Sequence, residues 1–170
     1  TGALPNVTVG SPLALDCIAL SGLISASSST LGATYNWSGT GIVSGGATSS
    51  PTVNVAGVYT VTVTDPANGC TNTATISVTS NTTPPDLTAG SPLTINCTIT
   101  SGTISANSIT PNVTYNWMGP GIVSGATTSS PIVNTAGIYT VVVTDPANGC
   151  TSTTTVQVTN TGNLPNVVPG

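Results

Sequence analysis

The stretch Val-Thr-Asp-Pro-Ala-Asn-Gly-Cys-Thr occurs at residues 63–71 and again at 143–151. Its two copies hold Asp65, Asp145, Cys70 and Cys150, half of the four acidic residues and half of the four cysteines in the chain. A carboxylate, an amide and a thiol so close together are the ingredients of a small active site, used twice. A carboxylate with amide and backbone oxygens is also the start of a calcium site, but an ion that takes about six to eight oxygens finds little here. A turn needs the same residues. Pro66 presets φ, Asp65 can accept from backbone amides two residues on, and Gly69 tolerates positive φ. The stretch is therefore read as a structural hairpin turn, with no catalytic and no metal-ligating residue assigned.

Composition excludes most other chemistry. The chain of 170 residues has no Lys, Arg or His, and its only four charged residues are Asp. Without His or Lys it lacks the commonest general base and the amine of Schiff-base catalysis. Without Lys or Arg it lacks the phosphate contacts that dominate nucleic-acid binding. Lys–Asn isopeptide staples are excluded too. A net charge of −4 repels nucleic acid and anionic membrane alike. No run of about 18 apolar residues is present, so no spanning helix is expected. Disorder goes with low hydrophobicity and high net charge, whereas 38% of this chain is hydrophobic and alternates regularly. With 34 Thr and 20 Ser, the polar surface is built from hydroxyls. Thr and Val suit half-buried pleated strands. The expectation is an all-β protein, not an enzyme, with no cofactor.

Shifted by 80 residues, the sequence matches itself at 48 of 80 positions. Cys17 falls on Cys97, Trp37 on Trp117, Tyr59 on Tyr139 and Cys70 on Cys150. Residues 161–170, TGNLPNVVPG, repeat residues 1–10, TGALPNVTVG. The expected organisation is one domain at 1–82, a second at 83–160, and at 161–170 the first strand of a further repeat or a donor or linker strand. The chain reads as a window of a longer array. The stretches 80–86 and 161–165, with Pro84, Pro85 and Pro165, are the expected linkers.

Within a repeat, period-2 patterns are broken by Gly, Pro, Asn and Ser clusters. In 57–64, Tyr59, Val61 and Val63 share one face, and Thr60, Thr62 and Thr64 the other. In 70–79, Ala74, Ile76 and Val78 point inward. In 12–20 the inward set is Leu13, Leu15 and Cys17; in the second copy it is Leu93, Ile95, Cys97 and Ile99. About seven short strands with one tryptophan per repeat describe two tandem Ig-like antiparallel β-sandwiches. Trp37, Tyr59, Trp117 and Tyr139 are assigned to the cores, Tyr59 as a tyrosine-corner residue, in preference to sugar-stacking roles. Taking 12–20 as the second strand of such a sandwich, parallel to the sixth, puts the 65–69 turn at the same end as Cys17. The expected disulfides are then Cys17–Cys70 and Cys97–Cys150, each closing about 50 residues and contributing roughly 3–4 kcal/mol. Disulfides imply an oxidising, extracellular setting.

Five Asn-x-Ser/Thr sequons, at Asn6, Asn36, Asn81, Asn96 and Asn112, are candidate glycan attachment positions. Outward threonine rows also resemble ice-binding arrays, but the rows are short, twisted sheets do not stay flat, and Val142 interrupts the second copy.

Trp37 after Tyr35, the strand AGVYTVTVTD at 56–65 and Asn-Gly-Cys at 68–70 resemble the Ig-like (PKD-like) tandem repeats of long secreted Bacteroidota surface proteins. Many of those are gliding adhesins and type IX secretion cargo. The pattern recurs at 115–150, although the Gly-Asp-Gly element of PKD repeats is absent. The resemblance implies an extracellular, cell-surface location and a spacer or stalk role. The function expected is a structural segment of a filament, stalk or adhesin shaft. Its expected partners are neighbouring repeats or copies of the same protein, with covalent glycans. The alternative is a glycan- or surface-binding adhesion module, for which the loops 26–33 and 106–113 differ between copies but contain no aromatic residue.

Overall fold

A computed structural model describes residues 2–162, and every regular element among them is a strand. The chain divides into two compact units between Thr82 and Thr83. Residues 163–170, which hold most of the expected opening strand of a further repeat, and Pro165 of the second expected linker lie outside the described residues.

In the first domain β1 is Thr8–Val9, β2 Leu13–Asp16, β3 Gly22–Leu23, β4 Ala26–Ser27 and β5 Thr34–Ser38. They are followed by β6 Ile42–Ser44, β7 Thr52–Val53, β8 Gly57–Thr64 and β9 Thr71–Asn81. One sheet has the order β2-β9-β8-β5 and the other β3-β7-β6, while β1 pairs with β4. The second domain repeats this with β10 Thr88–Ala89, β11 Leu93–Ile95, β12 Gly102–Thr103, β13 Ala106–Asn107 and β14 Thr114–Met118. It ends with β15 Ile122–Ser124, β16 Ile132–Val133, β17 Gly137–Thr144 and β18 Thr151–Asn160. Its sheets are β11-β18-β17-β14 and β12-β16-β15, with β10 on β13. Each domain is an Ig-like β-sandwich, and the chain is an all-β tandem of two.

Alternation builds the cores. Tyr59, Val61 and Val63 from β8 and Ile76 and Val78 from β9 are buried, in one core with Ile24, between β3 and β4, Ala26 of β4 and Val53 of β7. Removing such a Val or Ile from water is worth about 1.5–3 kcal/mol. Tyr139, Val141, Val143, Val156 and Val158 do the same in the second domain, against Ile104, Ala106 and Val133.

Alternation misleads at 16–20 and 96–100. β2 stops at Asp16, whose Oδ1 accepts from the amides of Ile18 (2.8 Å) and Ala19 (2.6 Å). β11 stops at Ile95, and Asn96 Oδ1 accepts from Thr98 and Ile99, both at 2.8 Å. A short polar side chain that bonds the backbone two residues on offers it an alternative to the ladder. Cys17 and Cys97 therefore sit on exposed turns rather than on inward strand positions, and Ile99 is exposed.

Strand order differs as well. The chain crosses between sheets at 10–12: β1 pairs with β4, but β2 runs parallel beside β9, the last strand, in the register Leu13↔Val78 to Asp16↔Asn81. The second strand of the sandwich is the interrupted 22–27 segment, and 12–20 is a continuation of the first.

Candidate functional site

The repeated Asp-Pro-Ala-Asn-Gly-Cys stretch closes the hairpins β8–β9 and β17–β18. Asp65 Oδ1 accepts from the Ala67 amide at 2.8 Å, and the Asp65 carbonyl accepts from Gly69 N at 2.8 Å. Gly69 takes a φ of 72°. Asn68 Oδ1 accepts from Cys70 N at 2.8 Å, while its Nδ2 donates to the carbonyl of Ala3 at 3.1 Å. Asn148 repeats both bonds, to Cys150 N and to the carbonyl of Thr83, each at 2.9 Å. The stretch is a turn with a second task, which the sequence did not reveal: its Asn holds the segment by which the chain enters the domain. The signal was there in the Asn of both copies, but only the fold puts residue 3 beside residue 68.

The four aromatics lie in the cores. Trp37 and Trp117 are buried, and their Nε1 atoms donate to the carbonyls of Thr48 (3.0 Å) and Thr128 (2.9 Å). The Tyr59 hydroxyl lies against the carbonyls of Thr40 and Val55, the latter at 2.7 Å, and Tyr139 against those of Pro120 and Thr135. A hydroxyl bonding back to backbone a few residues upstream is the tyrosine-corner arrangement. Burial raises the Tyr139 pKa above its ordinary value.

The cysteine pairing differs from the expectation. Cys17 and Cys150 are disulfide-bonded, whereas Cys70 and Cys97 are free thiols. Neither Cys17–Cys70 nor Cys97–Cys150 forms, and β-register explains why. Asp16 lies opposite Asn81 at the end of β9, and Cys70 precedes the start of β9. Eleven residues of strand separate the two ends, roughly 35 Å at about 3.3 Å per residue. Bridged cysteines need Cα atoms within about 7 Å. Cys97, just past Ile95 opposite Asn160, and Cys150, before Thr151, stand at opposite ends of β18 in the same way. Calling 12–20 the second strand placed Cys17 at the wrong pole.

The sequon asparagines differ in surroundings. Asn36 is exposed in the middle of β5, Asn81 is exposed in β9, and Asn112 is exposed with a φ of 59°. Asn96 caps its turn. Asn6 Oδ1 accepts from Ser28 Oγ (3.0 Å) and from the amide and hydroxyl of Ser29 (2.8 and 2.9 Å), clamping the β4–β5 loop. Of the expected linker prolines, Pro85 is buried and its carbonyl accepts from Ser152 Oγ at 2.5 Å, so it belongs to the second domain.

Asp86 takes the place of Asn6 in the second domain. Its carboxylate accepts from the amide of Ile109 (2.9 Å), the hydroxyls of Thr110 (2.8 Å) and Ser108 (2.9 Å), and the amide of Thr110 (2.8 Å). The Ile109 amide foremost, then these other donors, lower its pKa from 3.8 to about 2. A carboxylate whose pKa is lower folded than unfolded stabilises above the unfolded value and loses that contribution as pH falls through the folded one. The second domain should therefore lose stability between about pH 4 and pH 2. In Asp86→Asn that acid limb should shrink, read as a smaller fall in thermal midpoint across the window. An unchanged limb would remove Asp86 as its cause.

Among the described residues no pocket opens, no three potential metal ligands cluster, and no helix is long and apolar enough to cross a membrane. No family model matches the chain, and comparison with curated proteins finds no relative. Among solved structures, it is similar to extracellular domains 3–5 of Drosophila OTK, at 15% identity and TM-score 0.42 over 91% of this chain and 62% of that one. It is similar to the three N-terminal domains of the bacteriophage RB49 outer capsid protein Hoc, at 16% identity and TM-score 0.43 over 92% and 58%. Sidekick-1 immunoglobulin domains 1–5 match at 14% identity and TM-score 0.41 over 92% and 39%. The chain thus spans less than two thirds of the length of each of these three structures.

Proposed function

We propose that this chain is a structural repeat segment of an extracellular filament, stalk or adhesin shaft at a cell surface, of the kind its resemblance to Bacteroidota surface repeats implies, and that it performs no catalysis. One observation carries the reading: each domain is threaded from pole to pole. The chain enters beside the β8–β9 or β17–β18 turn, where Asn68 holds Ala3 and Asn148 holds Thr83. It leaves at the far ends of β9 and β18. A domain with entry and exit at opposite ends extends an array by its own length. The carboxylates are used up in turns and a loop clamp and the tryptophans in the cores, which also favours a structural role. Its partners are then neighbouring repeats or copies of itself, and Asn36, Asn81 and Asn112 are the sequon positions best exposed for glycans. The rival, an adhesion module, draws support from Leu31 and Ile109, exposed at 94% and 92% on the loops that differ between the repeats.

Electron imaging of the native material tests this. At about 3.3 Å per residue, a domain with its loops adds roughly 40 Å, so uniform fibres or rods repeating every ~40 or ~80 Å are expected. Compact particles without an axial repeat would overturn the array.

A further inference from the structure

We propose that the two free thiols are the open ends of a head-to-tail disulfide chain, in which Cys97 of one copy of this protein bonds Cys70 of a second copy. The two cysteines of a domain mark its two poles. Cys70 and Cys150 sit at the entry pole, before β9 and β18; Cys17 and Cys97 sit at the exit pole, past β2 and β11. One cysteine of each kind is oxidised, Cys17 and Cys150. The free pair, Cys70 and Cys97, is again one of each kind. An exit-pole thiol meeting an entry-pole thiol is a heterologous contact, which propagates instead of closing.

The surroundings fit. Cys97 is exposed, and the departing backbone runs beside it, since a Cβ on Gly162 would stand 2.9 Å from Cys97 Sγ. Cys70 is partly exposed, and its Sγ donates to the carbonyl of Gly2 at 3.7 Å, beside the entering backbone. In sequence, the stretch that begins beside Cys97, 161–170, repeats 1–10, the stretch whose Gly2 lies against Cys70. The surroundings of Cys97 and those of Cys70 therefore draw on one and the same sequence, which favours a first domain of this chain as the occupant over an unrelated partner.

The bond forms by thiol–disulfide exchange with a small-molecule disulfide as oxidant. The Cys97 thiolate attacks one sulfur of the oxidant, making a mixed disulfide and releasing one thiol. The Cys70 thiolate of the second copy then attacks the Cys97 sulfur, forming the protein disulfide and releasing the second thiol. Two protein thiols lose two electrons and two protons, and one oxidant disulfide gains them.

This bond rests on the array reading, and its test is separate from imaging. The chain, Cys70→Ser and Cys97→Ser are each treated with oxidised glutathione and run on non-reducing gels. The unsubstituted chain should give a ladder that collapses on reduction. Each variant alone should stay monomeric, and a 1:1 mixture of the two should stop at the dimer. Peptide mapping of that dimer should find Cys97 joined to Cys70. Both sites lie outside the cores, and circular dichroism checks that the variants are folded. A dimer of Cys70→Ser alone, a mixture that stays monomeric, or fibres whose Cys70 and Cys97 remain alkylatable would overturn the proposal, the last while leaving the array intact.

Discussion

Trp37→Ala and Trp117→Ala should each destabilise the affected domain by about 3–5 kcal/mol. Each indole fills the space between two sheets among residues that are almost completely buried, Tyr59 and Val61 in one domain and Tyr139 and Val141 in the other. Truncation to a methyl removes the largest transfer contribution in the core and leaves a cavity that β-branched neighbours, stiff at χ1, cannot collapse into. It also deletes the Nε1 bond to Thr48 or Thr128. Urea denaturation followed by circular dichroism reads the loss. A change below about 1 kcal/mol, roughly what a single buried methylene contributes, would place the indole outside the core.

Gly39→Ala and Gly119→Ala should follow, at about 1–3 kcal/mol each. A Cβ at either position would come within 2.5 Å of the ring of Tyr59 or Tyr139. The ring cannot yield, because its hydroxyl is held by backbone carbonyls on two sides. The control is Gly69→Ala, where φ is 72° but nothing lies within 4 Å of the new atom. It should lose only the left-handed backbone preference, about 1 kcal/mol. Combining Gly39→Ala with Tyr59→Leu should cost less than the sum of the two, since the clash partner is gone. Additive losses would show that the ring is not what excludes the methyl group.

The inward faces of β8 and β9 were legible in the sequence because a half-buried strand writes its orientation into every second residue. The Asp65 turn was legible because Pro66 and Gly69 each satisfy a backbone requirement. Alternation, however, says which way a side chain points and not which strand lies beside it. The parallel placement of β2 on β9 is a tertiary choice, made where the chain crosses sheets at 10–12. The turn at Asn96 imitates strand because Cys97, Thr98, Ile99 and Thr100 follow the cap in alternating order, and the turn at Asp16 because Cys17, Ile18, Ala19 and Leu20 prolong the apolar run of β2. Together these hid the positions of the cysteines and so the pairing. The Asn68 anchor, the Asp86 clamp and the close approach of Gly39 to Tyr59 all join residues about 20 to 65 apart, beyond the reach of local pattern rules.

The parallel pairing of β2 with β9 also decides how a domain meets a load. Tension drawn through the two ends of a domain pulls β2 back toward the entry pole and β9 onward toward the exit pole. The two strands must then slide past each other, so the bonds along the register from Leu13↔Val78 to Asp16↔Asn81 are strained together. A hairpin pulled at its open end would instead release them one at a time. The β11–β18 pair, Leu93↔Val158 to Ile95↔Asn160, gives the second domain the same shear geometry. Each sandwich is thus latched at the strands where its own chain would begin to peel.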